Sequence, residues 1–337
     1  MKRLAQRNAD VASPILRCPE GTYSKLYIIL EGTSDTSDII DLDELGRVTA
    51  SYNGRTFIGN VRAKNIMHFG NLKGGRVECN IPSAGATKVC IPIFCHEPDA
   101  GVGNVLHVTD DDNVTFEMNW GTGFTGDLAS GNVSLYGDIA DGVMDYLFTY
   151  DEYDFPLAAA GSIHERLPGE NFTHVMVTNV DDVNMTLIQL EVDGKMLHYC
   201  TAFAARAGSN FRNNIGDVGG VDADTAMAQQ VGGSVTGEIT SSEVAEFPIY
   251  NGQWSEALTD DLTVIINADG DIGTPSVMLT QLDFTPERAA RSEAMLRGKI
   301  QTAINRKRHL GKGRPVTAYE GIKRRTTTPL NISPGSF

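Results

Sequence analysis

The chain has 337 residues, of which 41% are hydrophobic, with 35 glycines and a formal net charge of −15. This length accommodates one large β domain or two ordinary ones, and the hydrophobic content excludes a largely disordered chain. No apolar run approaches the roughly 18 residues of a membrane-spanning helix, and no apolar segment follows the basic N-terminus as in a secretory signal, so we expect a soluble protein synthesised in a host cytoplasm.

The charge is distributed unevenly along the chain. Residues 286–325 carry twelve lysines and arginines against three glutamates, a local net charge of +9, so the rest of the chain carries −24. Lys2, Arg3 and Arg7 make the N-terminus basic as well. Two interpretations remain open: basic ends that meet an anionic partner, or a solvated helix with an extended tail. Aromatic residues are not interleaved with the basic segment, so sequence-specific nucleic-acid binding is not expected.

The first half of the chain has strand-like patterning over most of residues 17–120. TYSKLYIILEG alternates apolar and polar residues, and RVTASYNGRTFIG predicts a β-hairpin with its turn at Asn53-Gly54. RVECNIP and TKVCIPIFC predict two further strands, and an acidic turn at 110–113 separates the last two. Only NIMHFGNL departs from this pattern, and we expect a short helix or a loop there.

The second half repeats the order of the first. Residues 121–152 are richer in glycine and aspartate and are predicted to connect the two halves. LIQLEVDGKM then repeats the hairpin, with its turn at Asp193-Gly194, and DLTVIINADGDIGTPSVMLTQLDF repeats the closing strands. The second half differs from the first by a long polar insertion at 206–236.

The pattern changes again near the C-terminus. Pro286 suits the first turn of a helix, and Leu296, Ile300 and Ile304 have helical spacing. The stretch beyond this helix predicts an extended arm without a core of its own. We expect the basic residues of this region to contact a membrane or neighbouring subunits: Arg297, Lys299, Arg306, Lys307, Arg308, Lys312, Arg314, Lys323, Arg324 and Arg325.

Together these patterns predict an all-β protein. A repeat of this length indicates a duplicated domain, and a copy with about eight short strands suits a jelly-roll sandwich. The predicted architecture is two tandem jelly-roll β-sandwiches, a double jelly roll, with a C-terminal helix and extended arm. Its predicted parts are an N-terminal arm at 1–16, a first jelly roll with its connection at 17–152, a second jelly roll at 153–285, and the basic helix and arm at 286–337.

Catalytic and metal-binding motifs are absent from the sequence. There is no nucleophile elbow, no phosphate-binding loop and no H-E-x-x-H pair. Five irregularly spaced cysteines indicate buried or reduced thiols rather than a disulfide framework. We therefore assign no catalytic residue, no metal ligand and no cofactor. The histidines occur singly and are expected to be surface or half-buried side chains: His68, His96, His107, His164, His174 and His198.

Two acidic turns leave a structural calcium ion open as an alternative to a plain turn. NADGDIG, with Asn267, Asp269 and Asp271, resembles half of a calcium loop but lacks a glutamate at the twelfth position. The run of aspartates at 110–112 is similar in kind. A plain acidic turn is the default expectation for both segments.

Several segments resemble one family of viral proteins. CPEGTYSKLYIILEGT, ASYNGRTF and FPLAAAGSIHERLPGENFTHVMV, the last leading to LEVDGK, span most of residues 17–284. They resemble the major capsid proteins of tailless, lipid-containing icosahedral phages, above all the corticovirus type. The resemblance implies two jelly rolls side by side in each chain, and trimers of pseudo-hexagonal outline that tile an icosahedral shell over an internal membrane.

The resemblance also implies partners and a location. The partners would be two further copies of the chain, neighbouring capsomers, vertex proteins and the internal viral membrane, with the termini facing the lipid inside the virion. The alternative from the residues alone is a two-domain β-sandwich adhesin or glycan-binding spike, which gives the basic tail no role. An enzyme of jelly-roll type needs paired carboxylates or a ligand cluster that the sequence does not reveal.

Overall fold

Strands make up most of the described part of the chain, which is residues 1–34, 42–74, 77–82, 85–99, 104–181, 183–192, 194–212, 229–230, 234–238, 244–249 and 261–284 of a computed structural model. Contacts divide the chain into two units, Met1–Asp283 and Phe284–Phe337. The predicted C-terminal helix and arm lie outside the described residues, and the predicted domain boundaries stay predictions.

The first half contains ten strands and two helices among the described residues. In chain order they are β1 (Lys2–Asn8), β2 (Ile15–Cys18), β3 (Gly21–Ser34), β4 (Arg47–Tyr52), β5 (Arg55–Arg62), α1 (Ala63–Gly74), β6 (Glu78–Pro82), β7 (Gly85–Phe94), β8 (Leu106–Val108), β9 (Val114–Asn119), α2 (Phe124–Asp127) and β10 (Leu128–Ile139). The segment NIMHFGNL, predicted as a short helix or a loop, lies in α1. No described helix is long and apolar enough to cross a membrane.

The second half follows with ten further strands and one helix in its described part. They are β11 (Tyr146–Asp154), β12 (Gly161–Leu167), β13 (Phe172–Thr178), β14 (Met185–Val192), β15 (Lys195–Cys200), α3 (Ala202–Arg212), β16 (Gln229–Gln230), β17 (Ser234–Glu238), β18 (Ala245–Pro248), β19 (Leu262–Ala268) and β20 (Ser276–Phe284). The predicted all-β class is confirmed.

Three sheets organise these strands. One runs in the order β1-β10-β3-β7-β6-β17-β16, with β8 paired to β3. A second runs β18-β13-β20-β11-β5-β4-β9-β2, and a third of four strands runs β12-β19-β14-β15. The second sheet therefore combines strands of both halves, which meet where β11 pairs in parallel with β5.

Alternating apolar residues build the core of the second half. Along β19, Leu262, Val264 and Ile266 are fully buried while the residues between them are half-buried, as the period of a strand requires. β13 is buried at every position. Apolar side chains of β12, β14 and β19 form one cluster with those of β13, β18 and β20, so the third sheet packs against the second as a sandwich.

The two predicted hairpins are confirmed. β4 and β5 pair antiparallel, and at their turn Asn53 and Gly54 have φ of 51° and 81°. Both residues therefore lie in the left-handed region that a two-residue hairpin turn requires. β14 and β15 form the second hairpin, with Gly194 at φ 68°.

The segment 121–152, predicted to connect the two halves, contains a long strand of the first sheet. β10 lies inside the first sheet, paired with β1 on one side and along β3 on the other. Glycine-rich sequence usually indicates turns, but at Gly137 of β10 a Cβ atom would lie only 2.6 Å from Cδ1 of Tyr23. Glycine at this position makes room for the tyrosine on the neighbouring strand.

Two peripheral segments also have regular structure. Residues 2–8, within the predicted N-terminal arm, form the edge strand β1, which places Lys2, Arg3 and Arg7 along the first sheet. The polar insertion at 206–236 contains the end of α3, the strand β16 and the start of β17, and β17 pairs with β6 of the first half. The remainder of this insertion lies outside the described residues.

Candidate functional site

A charged cluster lies between strands of the two halves. It consists of Lys73, near the end of α1, Glu97 and Asp99, which follow β7, His174 on β13, and Glu246 on β18. β13 and β18 are antiparallel neighbours in the second sheet, which brings His174 and Glu246 together. The first half thus contributes an ammonium and two carboxylates, and the second half contributes an imidazole and one carboxylate.

The imidazole of His174 is the centre of the charged cluster and is 1% exposed. Its Nδ1 lies 2.6 Å from Oε1 of Glu246, and its Nε2 lies 2.7 Å from Oε1 of Glu97. Both carboxylate residues are fully buried. Lys73 Nζ lies 2.8 Å from Oδ2 of Asp99 and 3.2 Å from Oε1 of Glu246, and Asp99, which is 46% exposed, is the member that reaches solvent.

The electrostatics of the charged cluster favour a protonated imidazole. Because each ring nitrogen faces a carboxylate oxygen, both nitrogens must carry a proton to donate both hydrogen bonds. Burial alone would lower the pKa of His174, but the hydrogen bonds to Glu246 and Glu97 raise it to about 9. Burial alone would likewise raise the pKa of Glu97, but the hydrogen bond and charge of His174 lower it overall.

Aromatic side chains enclose the charged cluster on one side. The ring of Phe69 from α1 lies 5.4 Å from that of His174 and contacts Phe94 and Tyr150 edge-on. The Tyr150 hydroxyl accepts a hydrogen bond from the Phe94 N–H at 3.0 Å, and the Tyr146 hydroxyl accepts one from the Glu97 N–H at 3.1 Å. Tyrosines of β11 therefore hold the chain that leads from β7 to Glu97.

A second group of ion pairs reinforces the junction of β5 and β11. Arg62 pairs with Glu152 and with Asp154, and its backbone N–H donates to Oε2 of Glu152 at 2.7 Å. Arg47 of β4 also reaches Asp154, at 2.9 Å. The Glu152 carboxylate is fully buried. These contacts stabilise the parallel pairing of β5 with β11, which extends over two pairs of residues.

The prediction that the histidines are surface or half-buried is wrong for His68, His96 and His174, all of which are buried. His107 and His164 are exposed, as predicted, and His198 is half-buried. The charged cluster was missed because its members are far apart in the chain. The available signal was a histidine inside the apolar strand FTHVMVT, a position that is buried and therefore needs a polar partner.

The two acidic turns hold local hydrogen bonds. Asp112 accepts from the N–H of Thr109 at 2.8 Å and from Asn53 Nδ2, and these bonds lower its pKa to about 2 although burial opposes them. Asp271 accepts from the Gly273 N–H at 2.7 Å. In the part of the chain that the structure describes, neither turn belongs to a group of three metal-ligating side chains, whereas Glu97, Asp99 and His174 do.

The predicted contact residues of the basic segment, Arg297 to Arg325, lie outside the described residues, so their role stays a prediction. The five cysteines, by contrast, are all described. They are free thiols, three of them buried, in agreement with the prediction.

Comparison with known proteins identifies the fold. No protein-family model and no curated protein sequence matches the chain. Among solved structures, the major capsid protein P2 of bacteriophage PM2 matches with a TM-score of 0.53 and 11% identity, over 84% of this chain and 97% of that one. The STIV major capsid protein matches with a TM-score of 0.53, 12% identity and the same coverages.

The PBCV-1 virus capsid gives a TM-score of 0.52 at 7% identity, over 83% of this chain and 92% of that one. These matches extend over nearly the whole length of each capsid protein. They agree with the predicted all-β architecture and with the resemblance found in the sequence. The chain has the double jelly-roll fold of viral major capsid proteins.

Proposed function

We propose that this chain is a structural major capsid protein, without enzymatic activity, whose trimers tile an icosahedral virion over an internal membrane. The observation that carries the proposal is the double jelly-roll fold shared with the PM2 capsid protein over 97% of its length. Its partners are two further copies of the chain, neighbouring capsomers, vertex proteins and the membrane, and its location is the capsid shell.

The surface of the second half supports contacts between subunits. β15 is an edge strand of the third sheet, and Met196 and Tyr199 on it are 59% and 62% exposed. Phe203 at the start of α3 is 64% exposed. Exposed apolar side chains grouped on the outermost described strand of a sheet and on the helix that follows it are a liability in an isolated monomer and are suited to burial against another protein.

The mass of the purified chain in solution tests the assembly. We expect light scattering at several salt and calcium concentrations to give a stable trimer, three times the chain mass of 36.4 kDa. Electron microscopy of concentrated trimers should then show sheets or shells. A monomer under every condition would contradict the proposal and favour the adhesin, for which a glycan-binding screen is the next measurement.

The basic segment 286–325 is suited to bind an anionic partner on one side of the shell, because its local charge is +9 in an otherwise acidic chain. We propose that it contacts the membrane or neighbouring subunits. Replacing Arg306, Lys307 and Arg308 with glutamine is expected to weaken binding to vesicles containing phosphatidylglycerol about 100-fold, since each basic residue near such a surface contributes about 1 kcal/mol.

The matched control for the tail removes three exposed basic residues from the body of the protein, Arg17, Lys88 and Lys195. This variant has the same net charge as the tail variant, and we expect it to bind vesicles almost as the unmodified chain does. Unchanged vesicle binding and unchanged assembly in the tail variant would contradict the proposed role of the segment.

A further inference from the structure

We propose that Glu97, Asp99 and His174 form a binding site for one divalent transition-metal ion of the zinc type, with water completing the coordination. Each residue offers one ligand atom, and these atoms all lie within 4.8 Å of one another. His174 Nε2 is 2.7 Å from Oε1 of Glu97 and 3.6 Å from Oδ2 of Asp99. Three protein ligands and water are a common coordination set for zinc.

The second carboxylate oxygen of Glu97 is independent evidence for a bound ligand. Oε2 is buried and has no hydrogen-bond partner among the described residues. The hydroxyl of the neighbouring Thr173 lies 2.7 Å from Oγ1 of Thr280 and is also near enough to the Glu97 carboxyl group to help lower the pKa of Glu97. A buried carboxylate oxygen without a partner is unfavourable and uncommon in folded proteins. A cation bound by Glu97 would satisfy it.

Glu246 supplies the support that a metal-bound histidine needs. Its carboxylate lies 2.6 Å from Nδ1 of His174, on the side of the ring away from Glu97. A proton retained on Nδ1 therefore leaves Nε2 as the ligand atom, in the arrangement of carboxylate, histidine and metal found in zinc proteins. Binding of the metal would replace the proton on Nε2, which is released to solvent.

The charges of the cluster also favour a divalent ion. Without metal, the three carboxylates outnumber the ammonium of Lys73 and the imidazolium of His174 by one negative charge. With a divalent cation bound and the imidazole neutral, the two charges of the ion and the one charge of the Lys73 ammonium together neutralise the three carboxylates. Lys73 contacts the same Oδ2 of Asp99 that lies 3.6 Å from Nε2 of His174, so its ammonium holds that carboxylate beside the imidazole.

The donor set selects between classes of metal. Calcium takes six to eight oxygen ligands and magnesium about six, whereas imidazole with two carboxylates suits zinc and its transition-metal neighbours. Asp99 is 46% exposed and gives the ion a route from solvent, while the other ligands are buried. Because Glu97 and Asp99 belong to the first half and His174 to the second, the ion would link the two halves.

Titration of the tag-free, full-length chain with Co²⁺, followed by its visible absorption, tests the site. We expect saturation at about one ion per chain, displacement of cobalt by Zn²⁺, and no displacement by millimolar Ca²⁺. Asp99→Asn and Glu97→Gln should each raise the dissociation constant at least tenfold, as expected when a ligand is weakened. Asp110→Asn, a change of an exposed aspartate outside the cluster, should leave it unchanged.

Two results would overturn the proposal. One is the absence of saturable Co²⁺ binding by the unmodified chain. The other is a change of less than threefold in Asp99→Asn, a variant that should fold because its side chain reaches solvent. Circular dichroism of each variant confirms the fold before titration, so that loss of the metal can be assigned to loss of the ligand.

Discussion

Replacing His174 with alanine is expected to lower the free energy of unfolding of the metal-free chain by about 3–5 kcal/mol, because it removes the cation between two buried carboxylates. Glu97 and Glu246 each lose the hydrogen bond that His174 makes to them and stay fully buried. Lys73 still contacts Glu246 in this variant. Its other contact is with Asp99, so it does not replace the imidazolium beside Glu97. Urea unfolding followed by circular dichroism in the presence of a chelator measures the change.

His164→Ala is the matched control, because it makes the same substitution at an exposed histidine of β12. A surface change of this kind is expected to shift the free energy of unfolding by about 0.5 kcal/mol or less. A loss below about 1 kcal/mol in His174→Ala would show that the two carboxylates are not held as charged groups by the imidazolium.

Phe69→Ala is expected to cost a similar amount, about 3–5 kcal/mol, through a cavity rather than through charge. Phe69 is fully buried on α1, and its ring lies 5.9 Å from those of Phe94 and Tyr150 and 5.4 Å from that of His174. Removing it takes away packing that joins α1, β7 and β11, and it leaves one side of the imidazole open. The same urea unfolding measurement applies.

Phe203→Ala is the control for the cavity. Phe203 is 64% exposed at the start of α3, so in the monomer its removal creates no buried void and should be nearly neutral. The two variants also separate packing from assembly, since Phe203 lies on the surface that we propose for subunit contacts. Equal losses in both variants would contradict the central role of Phe69 in the core.

The parts of the fold that follow from local patterns were predicted from the sequence. The turn at Asn53-Gly54 follows from the preference of these two residues for positive φ, and the strand β19 follows from the alternation of LTVIINA. Both signals lie within a few neighbouring residues. The order of these strands in two similar halves was sufficient to predict a double jelly roll.

The errors concern features that depend on distant residues. β10 was predicted as a connection because the reason for Gly137, the ring of Tyr23, lies on another strand. His174 meets Glu97 across 77 residues and Glu246 across 72 residues, and no motif covers such separations. The charged cluster therefore becomes visible only when the sheet order is known.

The shared second sheet has a consequence for how the chain is synthesised and folded. The parallel partner of β5 is β11, and Nδ2 of Asn65 at the start of α1 donates to Oγ of Ser276, 211 residues later. The first half therefore emerges from the ribosome with a strand edge and buried polar groups that only later residues can satisfy. Such long-range closure slows folding and exposes unpaired strands in the meantime. We therefore expect the two halves to fold as one cooperative unit, which can complete its sheets only after nearly all of its sheet-forming residues have been made.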